Sequence, residues 1–82
     1  MILKNEAYMQ AFARRMRIAR ERTGMTRHEA ADKIGVSYAT LSGWELAITA
    51  PHISIIIPIA QVLNVSVAWL MKGRRRNEGM KR

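Results

Sequence analysis

Apolar residues along this chain recur at three- and four-residue intervals, the period of a helix with one buried side. Met9, Phe12, Met16 and Ala19 make the first such stripe and predict a helix over residues 5–23, with Asn5 as its cap. Arg14, Arg15, Arg17 and Arg22 fall largely off that stripe. Gly24 follows the last periodic residue and suits the left-handed position that stops a helix. Three later boundaries share one pattern. Met25-Thr26, Val36-Ser37 and Val65-Ser66 each place an apolar residue before a hydroxyl, and Ala30, Leu41 and Leu70 lie five positions after the first of each pair. The hydroxyl can satisfy a free backbone N–H, and the two apolar residues can staple the entry of the helix. Thr26 has Glu29 three residues on, completing a capping box. These signals predict helices over residues 27–34, 38–46 and 67–71.

Between the last two lies an apolar run, Ile53 to Leu63, interrupted by Pro58. Proline lacks the N–H and clashes with the carbonyl four residues back. The helix therefore either kinks at Pro58 or starts near Ile55 with Pro58 in its first turn, and the late start fits the chemistry better. Ile53, Ile56, Ala60 and Leu63 can form its core face, leaving Ile55, Ile59 and Val62 as a second apolar stripe. Asn64 tolerates the left-handed turn that follows. After Gly73 the segment RRRNEGMKR has no apolar period and reads as a mobile basic tail over residues 74–82, behind a domain of residues 1–73.

Residues 27–45 carry the most information. Ala31 sits mid-helix, where a second helix crosses closely, and Gly35 sits at the turn, where positive φ is expected. Val36 and Leu41 point inward, and Trp44 closes the apolar face. This is the pattern of two short helices in a helix-turn-helix, the second free to present its outer face to a major groove.

Charge supports that reading. The 82 residues carry a formal net charge of +8. Residues 1–27 hold seven Lys/Arg and two acids, residues 28–73 two and three, and residues 74–82 five and one. Two basic ends around a near-neutral centre suit a polyanionic partner. There is no cysteine, and His28 and His52 are far apart, so the sequence offers no disulfide and no metal site. A chain without cysteine fits a reducing, cytoplasmic compartment. The longest apolar run is too short for a bilayer, and the N-terminus lacks the features of a signal peptide. No paired carboxylates, activated nucleophile or phosphate loop point to catalysis, so no enzyme activity, cofactor, small-molecule ligand or membrane role is expected.

The pieces Arg20 before ERTGMT, EAADKIGVS, TLSGWE, Pro51, AQVLNVSVAWL and Gly73 together resemble the phage repressor and Cro family of helix-turn-helix proteins, the XRE type, over residues 12–73. The resemblance implies an all-α, compact five-helix bundle of the lambda-repressor-like kind. It implies that the third helix enters the major groove of double-stranded DNA. By position, Tyr38, Ala39, Thr40 and Gly43 would face base edges, with Ser42 nearby, and Arg27 would hold a phosphate. The helix N-termini at Thr26 and Ser37 would add backbone donors for phosphate oxygens. The family commonly pairs an arginine of the first helix with the glutamate ending the third, which here are Arg20 and Glu45.

Three departures qualify the match. The base-facing set holds no Arg, Gln or Asn, the side chains that make bidentate base contacts. The loop Leu46-Ala47-Ile48-Thr49-Ala50-Pro51 is uncharged where the family often has lysine or arginine. The fourth helix is unusually apolar, and its second stripe of Ile55, Ile59 and Val62, with Ile48, is the candidate homodimer contact. Two functions follow: a dimeric DNA-binding regulator (repressor, Cro-like switch protein or antitoxin with a partner toxin), or a protein-interaction module using Leu46 to Ile59 that keeps the fold.

Overall fold

The computed structural model describes residues 2–73, with side chains from residue 7 onward. Residues 74–82, expected as a basic tail, lie outside the described residues. Five helices follow in order: α1 (Ile2–Thr23), α2 (Arg27–Ile34), α3 (Tyr38–Glu45), α4 (Ile56–Leu63) and α5 (Val67–Lys72), with a 3-10 turn at Ile53–Ile55 ahead of α4. Among the described residues there is no strand. The all-α, five-helix expectation is borne out.

The helix starts follow their side-chain chemistry. Thr26 Oγ1 accepts from Glu29 N–H at 3.1 Å, and Glu29 Oε1 accepts from Thr26 N–H at 2.9 Å, the reciprocal capping box. Ser37 caps α3 through Thr40 N–H at 3.1 Å, and Ser66 caps α5 through Trp69 N–H at 3.0 Å. Met25, Val36 and Val65, the residues before those caps, pack partly buried against the core. Gly35 ends α2 at φ 95, and Asn64 ends α4 at φ 60.

The first helix begins three residues earlier than the cap signal at Asn5 suggests. Ile2, Leu3 and Lys4 include no glycine or proline to stop it. α4 starts late, at Ile56. Pro58 thereby falls in the first turn, where N–H groups have no partner inside the helix, so its missing donor costs nothing.

The core is a cluster of Phe12, Met16 and Ala19 from α1, Ala30 and Ala31 from α2, Leu41 and Trp44 from α3, Ile56, Ile59, Ala60 and Leu63 from α4, and Leu70 from α5. Two positions exchange roles relative to the sequence reading. Ile53, assigned to the core, is 71% exposed, while Ile59, assigned to the dimer stripe, is 0% exposed. Ile53 belongs to the separate 3-10 turn, so the phase of the buried face is set from Ile56. The i, i+3, i+4, i+7 set from Ile56 is Ile56, Ile59, Ala60 and Leu63, all buried. Ile55 and Val62 are half-buried, and Ile48 is exposed.

α1 lies across the helix-turn-helix unit and is tied to the chain's other end by a clamp. Arg15 Nε and Nη2 donate to the carbonyls of Leu70 and Met71, both at 2.8 Å. These carbonyls end α5 and have no helical N–H to accept, and the negative end of the helix dipole favours a cation there. Burial lowers the Arg15 guanidinium from its ordinary value, though an arginine stays charged in any workable solution.

Candidate nucleic-acid interface

The outward surface of α3 is confined to its first turn. Tyr38, Ala39 and Thr40 are exposed, whereas Leu41, Trp44 and Glu45 are buried and Ser42 and Gly43 half-buried. Ser37 Oγ donates to Thr40 Oγ1 at 2.9 Å, so the Thr40 hydroxyl keeps its own proton for an outside acceptor. Ser37 itself serves as the cap. The N–H groups of Tyr38 and Ala39 at the start of α3, and of Arg27 and His28 at the start of α2, lie before the first intrahelical bonds. Both helix starts therefore present donors on the positive ends of their dipoles.

Gly43 sits differently from the reading by resemblance. A Cβ on it would approach Thr49 Oγ1 at 3.1 Å. Its carbonyl accepts from Ile48 N–H at 2.9 Å and Thr49 N–H at 3.3 Å. Gly43 makes room for the loop that folds back after α3, and the loop takes up the side that would otherwise face outward. The same bonds, with Ala47 N–H to Trp44 O at 3.2 Å, form the left-handed turn that closes α3. Ala47 stands at φ 61 in the position where glycine is favoured, which no sequence signal announced.

The charged part of the site centres on Glu45, whose side chain is fully buried. Arg20 Nε and Nη2 donate to its two oxygens at 2.6 and 2.9 Å, a fork-to-fork pair, and Arg20 Nη1 donates to Met25 O at 3.0 Å. A second arginine joins them: Arg27 Nε donates to Glu45 Oε1 at 3.0 Å. The hydrogen bond to Glu45 raises both guanidiniums above the ordinary arginine value. Two guanidiniums on one carboxylate leave an excess positive charge at the start of α2. The resemblance supplied Arg20 and Glu45. Arg27 as the third member was not legible, because its reach to Glu45 depends on how α2 crosses α3.

Tyr38 is 42% exposed but not free. Its ring stacks on His28, with centroids 4.1 Å apart and planes at 19°. The Ser42 hydroxyl first, then the Arg27 guanidinium, hold the phenol below the ordinary tyrosine value. Ser42 is an approach looser than a full hydrogen bond, since its buried Oγ has no partner at bonding geometry. Arg14 and Arg17, both exposed, line with Gln10 a shallow groove beside Glu45, Leu46 and Ala47. Basic side chains thus flank the uncharged loop from α1.

The helix-turn-helix family model matches residues 16–70. This chain belongs to the helix-turn-helix family. A curated relative in Bacillus subtilis (strain 168), the uncharacterized HTH-type transcriptional regulator YqaE, is 29% identical over 62 residues, 76% of this chain and 53% of the relative. The chain spans about half the length of that relative. Among solved structures, the P22 c2 repressor protein, crystallised in complex with synthetic operator 9T in the presence of Tl+, superposes with a TM-score of 0.73 at 25% identity. The match covers 77% of this chain and 96% of the repressor chain. The helix-turn-helix fold here is that of the phage repressors, as the sequence resemblance implies. Among the described residues, no helix is long and apolar enough to cross a membrane, and no group of three or more His, Cys, Asp or Glu gathers as a metal site would require.

Proposed function

We propose that this helix-turn-helix chain is a transcriptional regulator that binds operator DNA, laying the first turn of α3 in the major groove. The observation that carries the reading is the convergence of three features on one face. Tyr38, exposed with Ala39 and Thr40 in the first turn of α3, stacks on His28 at the start of α2, and Arg27 at that same helix start is bonded to Glu45 at the end of α3. Such a face can place apolar and hydroxyl groups on base edges while backbone donors and Arg27 hold phosphates. The P22 c2 repressor, which shares the fold, was crystallised in complex with synthetic operator 9T, which supports DNA as the partner.

In this reading Arg27 is the phosphate ligand at the start of α2, held out by Glu45. Arg14 and Arg17 supply from α1 the backbone grip that the loop Leu46–Pro51 lacks. Thr40 and Tyr38 contact base edges, Ala39 offers a methyl to thymine, and Ser42 and Gly43 shape the turn rather than touch DNA. A second copy would pack on the exposed apolar set Leu46, Ile48, Ile53 and Ile57. Large apolar side chains left in solvent favour a contact that covers them. A two-fold pair would set two copies of α3 one turn of duplex apart, about 34–36 Å. The same patch is the specific support for the alternative, a protein-interaction module whose partner is a different chain.

Selection of bound duplexes from a random pool, followed by affinity measured against salt, tests the proposal. A palindromic consensus is expected, with log affinity falling against log salt at a slope of roughly −0.9 per phosphate contacted. Absence of binding to any duplex at low salt would overturn it in favour of the protein-interaction module.

A further inference from the structure

We propose that His28 is a positioning residue for base reading: its imidazole and the Tyr38 ring form one stacked unit that fixes where Tyr38 meets the groove. The inference rests on the DNA-binding reading above and adds to it a specificity-determining residue outside α3.

Tyr38 is the first residue of α3 and exposed, so alone it would sample several staggered positions. It would then lose that freedom on binding and contribute less discrimination. The structure removes the freedom in advance. His28, in the first turn of α2, covers one face of the ring at 4.1 Å, at the close end of aromatic spacings. Ser42 and Arg27 stand near the hydroxyl end. The ring is thus held against α2 on one face while 42% of the residue stays open to solvent. Arg27, beside His28 in the first turn of α2, is itself fixed by Glu45 at 3.0 Å.

The need for such a clamp follows from what the reading face lacks. Among Tyr38, Ala39 and Thr40 no side chain can make a bidentate contact that aligns itself. Apolar contact with a thymine methyl has no directional bond and discriminates only if the contacting surface stays in place. His28 itself sits on α2, whose start faces the backbone of the duplex, so it acts through Tyr38.

The test compares the intact chain with His28→Ala, His28→Phe, Tyr38→Ala and the double variant His28→Ala/Tyr38→Ala. The readout is affinity for the selected duplex and for its single-base variants, with thermal melting to confirm the fold; His28 is exposed, so none should unfold. His28→Ala is expected to reduce discrimination about 2- to 10-fold, at the same base position that Tyr38→Ala affects. The double variant should lose no more than Tyr38→Ala alone. His28→Phe, which keeps a flat ring, should restore the preference, and the salt slope should be unchanged throughout. The inference is overturned if His28→Ala discriminates like the parent, or if its loss adds to that of Tyr38→Ala at a separate position. Either result leaves the DNA-binding reading standing, whereas a parent chain that binds no duplex sinks both.

Discussion

Arg27 Nε lies 3.0 Å from Glu45 Oε1, so the carboxylate that ends α3 holds one arginine from α1 and another from the start of α2. The helix that would read DNA and the residue that would grip its backbone therefore share one buried anchor. Glu45→Gln leaves two guanidiniums facing each other without the charge between them. Breaking a buried pair in this way costs about 3–5 kcal/mol. Urea unfolding should show that loss. The paired replacement Arg20→Met/Glu45→Met should be milder, because it removes one of the stranded charges along with the carboxylate.

Ala47 occupies the left-handed position that closes α3, at φ 61. An alanine there meets a clash between Cβ and the carbonyl that glycine avoids, worth roughly 1–2 kcal/mol before the entropy of the freer glycine is subtracted. Ala47→Gly should stabilise the fold by about 1 kcal/mol. In a domain of this size that raises the melting temperature by roughly 4–8 °C. A fall in melting temperature would show that the side chain has a packing role outweighing the strain.

Arg15 is bonded to the last carbonyls of α5 and is not a free phosphate ligand. Arg15→Ala should cost about 1–3 kcal/mol through the two stranded acceptors, and amide exchange in α5 should rise before that of α3. Arg27→Ala should weaken all duplexes alike and flatten the salt slope by about 1. Parallel melting and binding curves for the two variants separate the roles.

Ile57 is 59% exposed and Ile59 fully buried, two residues apart on α4. Ile57→Asp, alone or with Ile48→Asp, should leave a folded chain that sediments as a monomer and binds DNA less tightly. Ile59→Asp should unfold the chain, since it buries an unpaired charge. Sedimentation and circular dichroism on both check the assignment of the patch.

The Tyr38 phenol is held below its ordinary value by Ser42, then Arg27. Ultraviolet titration in a Tyr8→Phe background should show it ionising early. A depressed acid favours the folded state above its unfolded value, so this contribution belongs to alkaline solution and is lost as pH falls through the folded value.

Where a feature depends on neighbours along the chain, the sequence carried it. Thr26, Ser37 and Ser66 each bond the N–H three residues on, because a cap needs only a hydroxyl and a helix start. Pro58 forced α4 to begin late for an equally local reason. Features that depend on helices crossing did not show. Arg14, Arg15 and Arg17 look alike in sequence, yet only Arg15 meets the end of α5. His28 reads as an idle surface residue until α2 and α3 bring it onto Tyr38. Ile53 and Ile59 exchanged roles because the sequence shows one apolar run, and only the break between the 3-10 turn and α4 sets which side is buried. Gly43 was placed by analogy on the outer face, and the structure folds the following loop back over it.

An outward surface only one helical turn long limits how much text a single copy can distinguish. Each wrong base pair costs a regulator about 1–3 kcal/mol, and the three side chains of one turn can touch few of them. One copy would therefore linger at many places in a genome. Two copies joined through Ile48 and Ile57 would double the word that is read and make occupancy rise with the square of concentration while the pair is scarce. A reader with so small a vocabulary would then respond to its own abundance as a threshold rather than in proportion.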